Sequence, residues 1–586
     1  MFEKEQLLLE QQVNSFFENH NLKGSALNWT WIPFSGHWGL STSLFKIASL
    51  NKNYKEELSV KEKAQHLAIE VVNSISLPAG FEMVEPINGY LNFYFDSNEY
   101  ACRVIDRILS LSEKYGKGAS TTKTIMVEYS QPNTHKAFHV GHLRNMVLGS
   151  SICRILEFAG NTIIRANYIG DIGLHVIKWL WNYINFHQGE IPPKDNKTKW
   201  MGGIYSEAIK RLETDPNLDS EVRELFLRWD KRDPEIVTLW KKTRDWSLDA
   251  FKEVYSLLDI QFDRIYYESE VEEAGKIIVD ELIDKELAID ERPEGAVIVD
   301  LDKLLGTKEK YRVLVVLRSD GTSLYPSKDL PLAIMKFSEY DLDQSIYVID
   351  VRQSLYMKQI FKLLELLDYK WAENCYHLAY EIVNLPGNVT IASREGTVVL
   401  LEDLISEAEK RAEKIVELKN PDVSEKIKAD VSQKIALGAI KYSLLSRDNT
   451  KIITFDWDAA MDVNGQAAPY IQYAYVRANS ILRKVNGTIP ETVKITWNLS
   501  SAEIQLVDQL SRFPQEVQRS SKDLRPILIA NYSYELAKTF SNFYNKCPVL
   551  SEEGDLRYFR LRLVAAFRQV IEISLGLLGI DVPQIM

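Results

Sequence analysis

The period of apolar and polar positions changes from block to block along this chain. In GYLNFYF (Gly89–Phe95), Leu91, Phe93 and Phe95 interleave with Tyr90, Asn92 and Tyr94, the two-residue period of a half-buried strand. Upstream, EKAQHLAIEVVNSI (Glu62–Ile75) sets Leu67, Val71 and Ile75 four apart, which predicts a helix. Together they read as a small α/β domain, residues 1–118, ending in the polar linker EKYGKGASTTK (Glu113–Lys123).

TIMVEYS (Thr124–Ser130) reads as a short apolar strand. A histidine-rich loop follows, then a helical stretch, LRNMVLGSSICRILEFAG, and a second strand, TIIRANYIG (Thr162–Gly170). Strand, loop, helix, strand opens a doubly wound parallel sheet, and such sheets bind phosphates at the helix N-terminus. From about Phe186 to Glu270 the pattern turns polar, tryptophan-rich and mostly helical, which predicts an insertion between two halves of that sheet. The runs RVLVVLR (Arg312–Arg318) and SIYVID (Ser345–Asp350) are expected to resume the strands, the second followed by a helix through KLLELLDY. From about Val431 helical periods dominate, and there is no internal repeat. The expected architecture is multidomain α/β plus all-α. It has an N-terminal α/β domain (1–118), a Rossmann-like domain (119–385, insertion about 186–270), a connecting region (386–430) and a helical bundle (431–586).

A chain of 586 residues exceeds one core, which agrees with several domains. With 45% hydrophobic and 26% charged residues it is composed like a globular protein. No apolar stretch is long enough for a bilayer, and MFEKEQLLLE lacks a basic-then-apolar leader, so no membrane attachment and a cytoplasmic location are expected. Cys102, Cys153, Cys375 and Cys547 lie far apart, without paired zinc-ligand spacing, so reduced thiols and no zinc are expected. The net charge of −12 argues against wholesale nucleic-acid binding but is uneven. Residues 431–586 hold 18 Lys+Arg against 15 Asp+Glu, so a polyanion would favour that end.

The densest chemistry lies in SQPNTHKAFHVGHLRN (Ser130–Asn145), with three of the nine histidines. His135, His139 and His142 have spacings of four and three, which suit a metal on a helix face, yet no cysteine completes a shell. They could also merely satisfy local hydrogen bonds. The third reading is phosphate chemistry. Two imidazoles flanking Gly141 at a helix start can both donate to one triphosphate, and a glycine lets a nucleotide approach the backbone. If the nucleophile is already a carboxylate, no general base is needed. Catalysis is then charge stabilisation at the α-phosphate by His N–H groups, Lys136 and the helix end.

HVGH (His139–His142) after an apolar strand resembles the "HIGH" signature of class I aminoacyl-tRNA synthetases, and PNTHKAFHVGHLRN resembles its arginyl-tRNA synthetase form. RANYIGDIG (Arg165–Gly173) is similar to the family's GDxG segment, and LRSDGTSLYPSKDLPLA (Leu317–Ala333) to its arginine-binding stretch. APYIQYAYVR (Ala468–Arg477) and the ending RLRLVAAFRQVIEISLGLLGIDVPQIM resemble its anticodon-binding helices and C-terminal signature. The first ~115 residues resemble its extra N-terminal domain, which holds the tRNA elbow.

The resemblance implies ATP- and arginine-dependent charging of tRNA(Arg), with Mg²⁺ accompanying ATP. The insertion is short and shows no hydrolytic constellation, so no editing domain is expected, and a monomer is expected. Lys136, His139 and His142 are the implied catalytic residues, and His139, Gly141, His142, Ser393 and Arg394 the ATP contacts. Glu128, Asn133, Tyr325, Asp329 and Gln353 are implied for arginine, whose guanidinium needs a carboxylate. Tyr90 and Asn92 are candidates for stacking on and hydrogen bonding to an unpaired tRNA base. IASREG (Ile391–Gly396) stands where the second class I signature is expected, with Glu395 in place of a lysine. Compensation by two other cations, the adjacent Arg394 and Lys136 from the opposite side, is therefore expected. GDIG departs from the commoner GDWG, and Tyr168 stands where histidine is usual. A class I synthetase for another amino acid and a non-catalytic tRNA-binding paralogue are the alternatives.

Overall fold

In the computed structural model, the apolar run Thr124–Glu128 is the central strand of a five-stranded parallel sheet. Gln344–Asp350 and Thr162–Ile169 flank it, and Cys375–Tyr380 and Arg264–Tyr267 form the edges. Numbered in chain order, the strands run 3-2-1-4-5, so the winding reverses between the first and the fourth. The crevice beyond the carboxyl ends of those two strands is where such sheets bind ligands. Ile125 to Glu128 are all buried, because helices cover both faces. Over one face, Met126, Ala166 and Tyr266 pack against Val271 and Leu332, from the helices Glu268–Asp284 and Tyr325–Glu339.

The structure describes residues 2–385, 389–390, 400–419, 421–485 and 487–586. They divide into two compact units. One comprises residues 1–115, 474–514 and 534–573; the other comprises 116–473, 515–533 and 574–586.

Two expectations for the sheet need correction. Val313–Leu317 does not join it. It pairs antiparallel with Val297–Asp300, which pairs with Ile289–Asp290 in a separate three-stranded sheet. Val313 and Val315 are exposed while Leu314 and Val316 are buried, so one face is open to solvent. An unbroken apolar run cannot separate that case from a strand buried on both faces. The insertion bounds also shift. Helices Leu174–Phe186, Lys197–Thr214, Asp219–Asp230 and Pro234–Leu257 surround a core that includes Trp179, Trp181, Trp229 and Trp240. The chain is back in the parallel sheet by Arg264. A second excursion, 268–343, then separates the third and fourth strands.

In the first unit, Tyr90–Phe95 is an inner strand of a four-stranded antiparallel sheet, with Leu91, Phe93 and Phe95 fully buried. The neighbouring helix spans Val60–Val72, started by a capping box between Ser59 and Glu62. Residues 1–115 are fastened to the later helices of this unit. Trp38 Nε1 donates to Asp508 Oδ1 (3.0 Å), Tyr115 Oη to the Leu510 carbonyl (3.1 Å), and Arg562 pairs with Asp106 (2.5 Å). Among the described residues no helix is long and apolar enough to cross a membrane.

Candidate active site

The loop from Tyr129 to Phe138 leaves the central strand with three non-glycine residues at positive φ: Ser130 (78°), Gln131 (49°) and His135 (63°). Such backbone costs about 1–3 kcal/mol per residue and persists only where neighbours over-determine it. Here they do. The Ser130 N–H donates to Asn145 Oδ1 (2.5 Å), the Gln131 N–H to Asn167 Oδ1 (3.1 Å) and the His135 N–H to Ser247 Oγ (3.0 Å). The His135 ring is buried, with its nitrogens on Thr134 and Thr243 (3.0 and 2.9 Å). Burial and then His175 hold it well below the usual histidine range, so it is a neutral fastening of the loop.

The other two histidines start the helix Val140–Phe158. His139 is its N-cap; Gly141 N–H donates to His139 Nδ1 (3.1 Å), and His139 N–H donates to His142 Nδ1 (3.2 Å). Each ring uses Nδ1 as an acceptor, so the neutral tautomer carries its proton on Nε2. Burial, then Lys136 and Arg352, lower His139 to about 4. His142 lies well below its usual value through burial, His139 and Lys136. Both are therefore neutral donors near pH 7. A Cβ on Gly141 would sit 2.9 Å from His139 Cε1, so this glycine makes room for the ring of its own helix cap.

These groups open on a cavity of about 490 Å³. Ser130 and Gln131 line it at the loop, Ile349, Ile382 and Val383 form an apolar wall, and Asp350, Arg352 and Gln353 close the end of the fourth strand. Asp350 is held bidentately by Arg352 (2.8 and 2.7 Å). Arg144 also reaches the cavity; burial pushes its guanidinium down to about 10, still cationic at neutral pH. Lys136 has its Nζ 5.1 Å from the Tyr205 ring centroid, and its pKa is lowered by burial and then Lys178.

On the face covered by helix Tyr325–Glu339 three carboxylates gather. Glu128 pairs with the fully buried Lys336 and accepts from Gln131 Nε2 (2.7 Å). Glu268 pairs with Lys328 at 3.0 Å. Asp329 accepts a hydrogen bond from Tyr356 Oη. Burial pushes Asp329 up to about 7; the Tyr356 bond opposes this, while Glu128 and Glu268 add repulsion. Two ammonium groups thus answer two of the three acids. The Tyr168 hydroxyl is buried without a hydrogen-bond partner among the described residues. Its pKa is raised by burial and then by Asp329. At the far side, Asn133 bridges to Gly170, where a Cβ would stand 2.2 Å from Asn133 Oδ1. The glycine of GDIG is needed for that approach.

Residues 104–457 match the family described as tRNA synthetases class I (R), catalytic domain, and residues 471–586 match the DALR anticodon binding domain. The arginine–tRNA ligase of Alkaliphilus metalliredigens is 34% identical over 530 residues, 90% of this chain and 91% of that one. That of Treponema denticola is 34% identical over 555 residues, 93% and 92% of the two chains. The chain belongs to the arginyl-tRNA synthetase family. Its activity is that of an arginine–tRNA ligase. The fold agrees: the arginyl-tRNA synthetase of Thermus thermophilus superposes with a TM-score of 0.75 and 26% identity, over 99% of this chain and 100% of that one.

Of the residues singled out in this synthetase sequence, His139, Gly141, His142 and Gln353 line one cavity. Asp329 and Glu128 repel each other, and Glu128 accepts from Gln131, which lines that cavity. Tyr325 opens the helix bearing Asp329 but is 67% exposed. Ser393 and Arg394, like Glu395, lie outside the described residues. Tyr90, exposed, and Asn92, which accepts from Ser41 Oγ (2.7 Å), belong to the first unit. Sequence reasoning passed over Arg144, Asn145, Lys336, Glu268 and Tyr356. Arg144 and Asn145 adjoin the histidines inside HLRN, so adjacency was an available signal for them. The others are brought in from distant segments.

Proposed function

We propose that this synthetase holds ATP across the N-terminus of helix Val140–Phe158 and arginine beside Asp329. The arginine carboxylate attacks the α-phosphorus, pyrophosphate leaves, and the tRNA 3′-terminal hydroxyl then takes the arginyl group from the adenylate, releasing AMP. His139 and His142 donate Nε2–H to the phosphate oxygens as charge develops. Gly141 supplies the close backbone, Ser393 and Arg394 belong to the second signature, and Lys136 draws the pyrophosphate. Glu128, Asn133, Tyr325 and Gln353 orient the amino acid, and Asp329 takes its guanidinium. Mg²⁺ enters with the triphosphate as part of the substrate.

The observation that carries this reading is Asp329, a buried acid without an ion-paired ammonium among the described residues, coupled through Glu128 and Gln131 to a cavity edged by two neutral imidazoles. A bound guanidinium supplies the charge that Lys336 and Lys328 supply to the other two acids. The helices from about Val431 would contact the anticodon stem, and Tyr90 and Asn92 the elbow. We further propose a monomer in the cytoplasm, where four free thiols are stable. The test is pyrophosphate exchange, with tRNA present, across the twenty amino acids. Only arginine should support it. Lys136→Ala should cut it severely, and Glu395→Lys should partly restore it by returning a cation. Exchange with another amino acid, or purely additive effects of the two changes, would defeat the respective assignment.

A further inference from the structure

Arg144 sits on the first turns of the signature helix, 2% exposed, yet among the described residues its hydrogen bonds go to backbone carbonyls and not to a carboxylate. Its guanidinium spans two separate stretches of backbone. Nη1 donates to the carbonyls of Glu381 and Ile382, the latter at 3.0 Å. Nη2 reaches the carbonyl of Lys451 at 3.1 Å, with those of Asn449 and Asp448 at 3.3 and 3.5 Å. The first stretch leaves the edge strand Cys375–Tyr380 and carries Ile382 and Val383 into the wall of the cavity. The second runs beside it. Glu381 N–H donates to the Asn449 carbonyl (2.9 Å), Ile453 N–H to Ile382 (3.1 Å) and Phe455 N–H to Asn384 (2.8 Å). Val383 pairs with Ile453 in parallel.

A buried guanidinium is expensive unless its donors are used. A planar fork spreads five donors over two edges and so reaches carbonyls of both stretches at fixed spacing, whereas an ammonium offers its three donors from a single point. We infer that Arg144 is a positioning residue for the nucleotide: by tying residues 381–382 and 448–451 to the helix that bears His139 and His142, it fixes the apolar wall of Ile382 and Val383 at the distance an adenine requires. Its positive charge, shared electrostatically with Glu381, Asp350 and Asp448 but hydrogen-bonded to carbonyls, lies at the same cavity. This rests on the reading that the cavity holds ATP.

The test compares Arg144→Lys with Arg144→Met. Both should raise the ATP KM about tenfold or more in pyrophosphate exchange, with the arginine KM within twofold of the parent. Both should also speed hydrogen exchange at the amides of Glu381, Ile453 and Phe455. The exchange readout needs no nucleotide, so it stands or falls independently of the ATP assignment, which the signature histidine variants test. If Arg144→Met does not fold, Arg144→Lys alone decides. A normal ATP KM in Arg144→Lys would show that charge suffices and the fork is idle. Equal rises for ATP and arginine, or unchanged amide exchange, would likewise overturn the inference.

Discussion

Arginine affinity should depend on pH through Asp329. Burial holds this carboxyl at about 7 against an ordinary 3.8, with Tyr356 donating to it, Glu128 and Glu268 repelling its charge and Lys336 attracting it. Only the ionised form pairs with a guanidinium, which itself stays charged throughout. For an acid near 7, ionisation is about 9% at pH 6 and about 91% at pH 8. The arginine KM should therefore fall about tenfold from pH 6 to pH 8. His139, near 4, and His142, well below its usual value, do not titrate in that window. The sign for folding is opposite. A raised acid binds its proton more tightly folded than unfolded, so its contribution is full below about 3.8 and lost as pH rises towards 7. Bound arginine should restore it. Asp329→Asn leaves a buried guanidinium without counter-charge. Breaking such a pair costs about 3 kcal/mol or more, so the arginine KM should rise at least about 100-fold with the ATP KM unchanged. Steady-state pyrophosphate exchange from pH 6 to 8 measures both. An arginine KM that is flat in the parent, or a slope that survives in Asp329→Asn, would refute the reasoning.

Replacing His139 or His142 by alanine should lower turnover about 10²–10³-fold each, the scale of one lost preorganised donor, and leave tRNA affinity intact; near-normal rates in both would remove them from catalysis. Gly170→Ala should displace the Asn133 side chain, 2.2 Å from the added methyl, and raise the arginine KM in the same exchange assay. Tyr90→Ala should weaken tRNA binding by about 1–3 kcal/mol if a base stacks on it, and Asn92→Ala by less, with ATP binding unchanged in both; filter binding of tRNA reads this. Point changes are preferable to truncating the first 110 residues, because Trp38, Asp106 and Tyr115 are tied to Asp508, Arg562 and the Leu510 carbonyl.

What was legible beforehand follows from how local each feature is. The strand Thr124–Glu128, the helix after the histidines and the alternating strand Tyr90–Phe95 each declare themselves within a few residues. RVLVVLR misled because its apolar run is uninterrupted while its burial alternates. Arg264–Tyr267 was hidden inside a polar, aromatic stretch because an edge strand needs only one ladder. In the site, HVGH was visible as a string, but the use of both Nδ1 atoms as cap acceptors requires the backbone. Arg144 binds carbonyls, which every residue has, so its partners leave no trace in sequence. Lys336 meets Glu128 across 208 positions, and nothing local to either residue announces the pair.

The joining of residues 1–115 to the helices of 474–573 has a consequence in time. A ribosome completes the N-terminal sheet first, but its partners, Asp508, Leu510 and Arg562, follow about 390–450 residues after Tyr115. At roughly 5–20 residues per second that interval is on the order of 20–90 s. Throughout it the surface around Trp38, Asp106 and Tyr115 faces solvent, while the parallel sheet and its excursions are made and folded. The part of this unit that is made first thus waits for its other half, and the unit closes only after residues 534–573 have been made.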